Sequence, residues 1–108
     1  MWIMSANERR FESVGDSEGL ELCLVREYEN NGIAAFVKVR KGSKVPSHTH
    51  VGDEECYVIE GRIDVGDGRI AAAGDYVLAN EDDEHELIAL EDTLFFVTIH
   101  KGFVWTHE

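Results

Sequence analysis

Apolar residues in this chain recur at every second position, and that period constrains the fold more than any other feature. Ile33, Ala35, Val37 and Val39 are apolar, while Lys38 and Arg40 fall on the other parity. A period of two sends alternate side chains to opposite faces of a strand, so 33–40 reads as a half-buried strand. Leu20, Leu22 and Leu24 alternate in the same way. Residues 56–60 form a short β-rich run that ends at Gly61. Segments 62–65 and 69–72 flank Gly66-Asp67-Gly68, which is a hairpin signal. Segments 76–79, 86–90 and 93–100 supply three more strands. No stretch has the period of an amphipathic helix, and 6–12 has room for a single turn. Short strands separated by frequent turn signals predict an all-β protein, an antiparallel sandwich or barrel.

The length of 108 residues predicts a single domain over 1–108. Within it, 93–99 is unusual because Leu94, Phe95, Phe96, Val97 and Ile99 are apolar on both parities. A strand buried on both faces in so small a protein requires a second layer, and a homodimer interface is the expected one.

Charge and composition exclude several partners. Lys and Arg total 10 against 22 Asp and Glu, a formal net charge of -12. Nucleic acid and anionic membranes bind clustered cations, so neither is expected as a partner. Solubility is the ordinary consequence of so much acid. No apolar run approaches the roughly 20 residues of a membrane span. The N-terminal residues do not read as a secretory signal. Cys23 and Cys56 are then expected as free thiols, and the location as cytoplasmic.

The chemistry concentrates in His48-Thr49-His50, followed by Glu54, with His85 farther along. Residues i and i+2 of a strand share a face, so an extended segment projects both imidazoles side by side. Pro46 biases its neighbours away from helix. Val51-Gly52-Asp53 is short enough for a turn, after which Glu54 begins a strand running back beside the first. His85 can complete the set from a later strand. Three imidazoles and a carboxylate suit Fe, Mn, Ni, Zn, Co or Cu in the divalent state, and the residues alone do not choose among them. Four such ligands on an octahedral ion leave two positions open for chemistry. The blander reading stands beside this one. His-x-His is common, one of 22 acidic residues often falls nearby, and His85 sits in a run, 81–86, that reads equally well as a solvated acidic loop. Spacing alone leaves both readings open.

A family resemblance adds to this. Gly42-Ser-Lys-Val-Pro-Ser-His48-Thr-His50-Val-Gly-Asp-Glu54-Glu-Cys-Tyr-Val-Ile-Glu-Gly61 resembles the first cupin motif at every fixed position. The second motif is partly kept: Gly74 and His85 are in register, but Asn80, Asp82 and Ala89 stand where cupins have Pro, Gly and Asn. The resemblance implies an antiparallel jelly-roll β-barrel of RmlC-like type. It implies that His48, His50, Glu54 and His85 bind one divalent transition metal inside the barrel. Register to Gly61 selects Glu54 over Glu55. The short spacing from Gly61 to Gly74 resembles compact single-domain microbial cupins.

Alternation from the ligands places Cys56, Val58, Leu87 and Ala89 inward, with Val37, Val39 or Phe36 across from His48. That lining is an apolar pocket for a small organic ligand. Cys56 reads more simply as a small buried hydrophobe than as a reactive thiol. Lys38, Arg40 and Arg62 read as outer-face charges, His100 and His107 as surface residues, and Trp2 and Trp105 as ordinary packing. Acidic segments 53–55 and 81–86 at the mouth favour neutral or cationic ligands. Two functions follow. One is a metal-dependent enzyme of dioxygenase or isomerase type, with Glu54 as proton acceptor. The alternative is a non-catalytic module that senses a small molecule or a metal. Cupins host many chemistries, so the fold does not choose.

Overall fold

The structure is a computed structural model, and it describes residues 1–46, 48–50, 52–80, 86–101 and 103–105, with backbone alone for 48–50 and 103–105. The period of two becomes strand after strand. In chain order these are β1 (Glu12–Ser13), β2 (Leu20–Glu27), β3 (Ile33–Val39), β4 (Lys44–Val45), β5 (His48–His50) and β6 (Glu54–Glu60), then β7 (Arg62–Asp64), β8 (Ile70–Ala72), β9 (Tyr76–Ala79), β10 (Leu87–Ala89), β11 (Thr93–Ile99) and β12 (Phe103–Trp105). The expected N-terminal turn is a 3-10 turn at Ala6–Glu8. Among the described residues no helix is long and apolar enough to cross a membrane.

A six-stranded sheet runs in the order β1-β2-β3-β11-β6-β9, a four-stranded sheet in the order β4-β10-β7-β8, and β12 pairs with β5. Every pairing is antiparallel, as in β3 with β11 and β11 with β6. The apolar parity of the longer strands faces one shared core. Leu20, Ala35, Val37, Val39, Val58, Phe95, Val97 and Ile99 come from the larger sheet, and Val45, Ile63, Ala71 and Ala89 from the smaller. The result is an all-β, cupin-type jelly roll whose sheet edges are not closed on each other. At Gly66-Asp67-Gly68 all three residues have positive φ (119°, 57° and 74°), which explains why glycine brackets this hairpin.

Three expectations need correction. Leu24 is 47 % exposed rather than buried, because the β2–β3 register shifts between Leu24 and Arg26 and the alternation slips there. Phe36 does not line the interior. It faces outward in a cross-strand row, Cys23–Phe36–Phe96–Tyr57–Tyr76, read from the registers of five strands. Trp2 is not packed but 70 % exposed.

The apolar outer side of β11 gains part of its second layer from the chain itself. Phe96 packs on Phe36 with ring centroids 5.0 Å apart. The Arg9 guanidinium lies 3.9 Å over the Phe36 ring, and the Lys38 ammonium 4.1 Å from the centre of Phe11. The N-terminal segment thus crosses the outer face near β3, and Cys23 beneath it is only 2 % exposed.

Candidate functional site

Of the four residues singled out as metal ligands, the structure describes Glu54 fully. It describes the backbone of His48 and His50, while His85 lies outside the described residues. His48 and His50 are the first and last residues of β5, opposite Trp105 and Phe103 of β12. The backbone there is extended, as a ligand pair two residues apart requires. Glu54 opens β6 and stands opposite Ile99 of β11 and Ala79 of β9. Among the described residues no group of three His, Cys, Asp or Glu side chains is arranged to hold a metal.

The strands on either side of residues 81–85 have informative partners. β9 ends at Ala79, opposite Glu54. β10 begins at Leu87, opposite Val45, three residues before His48. Each end of the segment holding His85 is therefore anchored beside a strand that carries or leads to another of the four residues.

Glu54 is half-buried and shares its sheet face with Cys56 and the fully buried Val58. Burial pushes the Cys56 thiol up to about 12, and the neighbouring Glu54 carboxylate adds to the effect. Cys56 is therefore a thiol, not a thiolate, at neutral pH, as its reading as a small hydrophobe requires. In metal-free protein at pH 8, alkylation of Cys56 should run about a thousandfold slower than that of an ordinary thiol near 9.0. Iodoacetamide labelling followed by mass spectrometry measures this, with urea-unfolded chain as the reference. The sign for stability is negative at high pH. The folded thiol keeps its proton while the unfolded one ionises, so stability declines above pH 9.

Both cysteines are free. Cys23 lies on β2 and Cys56 on β6, with β3 and β11 between them. Three strand spacings amount to about 14 Å, beyond disulfide reach.

Glu55 takes the opposite face, and there sequence reasoning missed a network. The Tyr76 hydroxyl donates to Glu55 Oε1 at 2.9 Å, and His100 Nε2 lies 3.3 Å from Oε2. The Tyr76 hydrogen bond, with that of His100, holds the exposed Glu55 carboxyl below its ordinary value. The same bond to Glu55 holds the Tyr76 hydroxyl above its own. His100 also stacks on Tyr28, ring centroids 6.1 Å apart, and Arg26 lies 4.7 Å from the centre of that ring. His100 is exposed as expected, but it is engaged. Lys38, Arg40 and Arg62 are exposed, and Arg62 lies 3.8 Å from Glu91.

Known proteins share this architecture. The acetylacetone dioxygenase from Acinetobacter johnsonii superposes with a TM-score of 0.86 at 19 % identity, over 100 % of this chain and 78 % of that one. ChrR, the Rhodobacter sphaeroides anti-sigma factor solved in complex with SigE, gives 0.75 at 23 %, over 88 % and 51 %. The polyketide cyclase RemF from Streptomyces resistomycificus gives 0.78 at 13 %, over 100 % and 87 %. At these identities the likeness establishes the fold alone. No curated protein matches the chain. The family profile of the ChrR cupin-like domain matches residues 2–104. With that match over nearly its whole length, on a jelly roll built from two facing sheets, the chain belongs to the ChrR cupin-like family of the cupin superfamily.

Proposed function

We propose that this single-domain cupin, spanning 1–108, binds one divalent transition metal through His48, His50, Glu54 and His85. We further propose that it is a metal-dependent enzyme of dioxygenase or isomerase type, acting on a small neutral organic molecule. The observation that carries the reading is the place of the half-buried Glu54, which opens β6 on the same face as Cys56, opposite Ala79 of β9 and Ile99 of β11. Three imidazoles and a carboxylate make a mixed set of nitrogen and oxygen donors, which fits a divalent ion. Such an ion supplies Lewis acidity, or oxygen activation if it is iron. Glu54 accepts the proton that the substrate releases. Val58 and Phe95, both almost fully buried, close the interior beyond it and exclude water.

Glu54 and Glu55 provide a test. Glu54→Gln should lower bound metal strongly in elemental analysis, whereas Glu55→Gln, on the outer face with Tyr76 and His100, should leave it unchanged. Equal loss in both variants would sink the choice of ligand. Activity is tested by oxygen uptake and product analysis with Fe(II)- or Mn(II)-loaded protein across diketones, enols and thiols. The alternative is a non-catalytic module that senses a small molecule or metal, a reading supported by the likeness to the anti-sigma factor ChrR. Tight ligand binding without conversion would select it. The reading also includes a cytoplasmic location, supported by the two unbridged cysteines, and a homodimer.

A further inference from the structure

We infer that residues 1–11 form a strap that swings off the outer face of the six-stranded sheet while the sheet itself stays folded. Opening bares the aromatic row of Phe36 and Phe96 beneath it. The motion requires no metal.

The outer face is covered. Cys23, Ala34 and Leu94 are 2 %, 2 % and 8 % exposed, yet none belongs to the core between the two sheets. Cys23 stands opposite Phe36, and Phe36 opposite Phe96. The strap lies across this row. The Arg9 guanidinium sits over the Phe36 ring, and the Phe11 ring lies against the Lys38 ammonium.

Its hold is weak. Among the described residues no backbone hydrogen bond joins 1–10 to the sheet. The strap bonds to itself instead. The Glu8 N–H donates to the Ser5 carbonyl at 2.9 Å, and the Ser5 N–H donates to Glu8 Oε1 at 2.7 Å. Those bonds travel with the strap, so lifting it breaks neither. Trp2 and Ile3 are 70 % and 78 % exposed and do little to hold it down. Arg9 Nε is buried with no hydrogen-bond partner among the described residues. Closing strips water from that donor and returns no bond. A cation–π contact favours closure by roughly two- to fivefold. An orphaned donor opposes it by about fivefold or more, so the two nearly cancel at Arg9. At the base of the strap β1 is only Glu12–Ser13, paired with Leu22 and Glu21, which makes a short hinge. The sheet beyond is held by the full length of β3 against β11. Segments so unequally held open separately.

Cys23 reports the motion, because opening uncovers its thiol. Iodoacetamide labelling at pH 8, read by peptide mass spectrometry across low urea concentrations, compares its rate with global unfolding. Labelling is expected at least about tenfold faster than global unfolding permits, and nearly independent of urea, because a strap exposes little surface. Phe11→Ala removes part of the cover and the Lys38 contact, and should speed labelling about tenfold further. Arg9→Lys puts a methylene where Nε stands and keeps a cation for Phe36, so it should slow labelling about fivefold. Each variant is set against its own global unfolding, so a merely weaker fold is not mistaken for an open strap. Labelling of Cys23 that tracks global unfolding in urea would overturn the strap, and so would a rate that neither variant moves.

Discussion

His50→Ala is expected to emerge from purification without the transition metal that wild type carries at close to one ion per chain. Removing an outer hydrogen-bond partner of a ligand costs about 10–100-fold in affinity, and removing a ligand itself should cost more. Inductively coupled plasma mass spectrometry reads the loss directly, and His100→Ala, whose ring contacts Glu55 on the outer face, is the control that should keep its metal. Stability should follow. A ligand present at about a hundred times its dissociation constant adds about 2.7 kcal/mol, which in a domain of this size moves the thermal midpoint by roughly 10–20 °C. Chelator should therefore lower the midpoint of wild type by that amount and leave His50→Ala where it is. Wild type that takes up no metal after reconstitution would remove the basis of the proposed function.

Gly61→Ala should be strongly destabilising. Gly61 has a φ of +90°, and a Cβ there would run into the carbonyl oxygen of Asp92 as well as lie 2.7 Å from Thr93 Oγ1. The Asp92 oxygen is backbone, and the Thr93 hydroxyl is held by the carbonyls of Arg62 and Glu91 at 3.0 and 2.8 Å. Neither yields cheaply. Left-handed strain of about 1–2 kcal/mol and overpacking of about 1–3 kcal/mol together predict a loss near 3 kcal/mol in urea unfolding. Gly42 and Gly74 share a positive φ (+84° and +95°), but nothing lies within 4 Å of a Cβ at either. Alanine at those positions should cost only the strain. Equal losses at all three would refute the steric account.

That contrast shows what could be read before any coordinates. The motif marks Gly42, Gly61 and Gly74 alike, because sequence reports a backbone need without saying what crowds it. Alternation located the core of β3, β6 and β11 because those strands are long and their parity is strict. It failed at Leu24, where a register shift reverses parity, since no residue type announces a bulge. It misplaced Phe36 because an aromatic on the polar parity looks the same whether it lines a cavity or lies beneath an arginine. For the candidate site, donor types and spacing nominated four residues. The Tyr76–Glu55–His100 network stayed hidden because β9, β6 and the residue just after β11 contribute to it, and only the mutual register of those strands brings them together.

The place of β11 has a consequence for how the protein is made. It lies between β3 and β6, pairing residues 93–99 with 33–39 on one side and 54–60 on the other. During synthesis both neighbours leave the ribosome long before the strand that joins them. Until then two apolar strands present bare hydrogen-bonding edges, the condition in which nascent chains aggregate. Folding must wait for these distant partners, so it should be slow for a chain of this length. A nascent chain stalled before residue 93 would have every proposed ligand already synthesised and no central strand to hold them together.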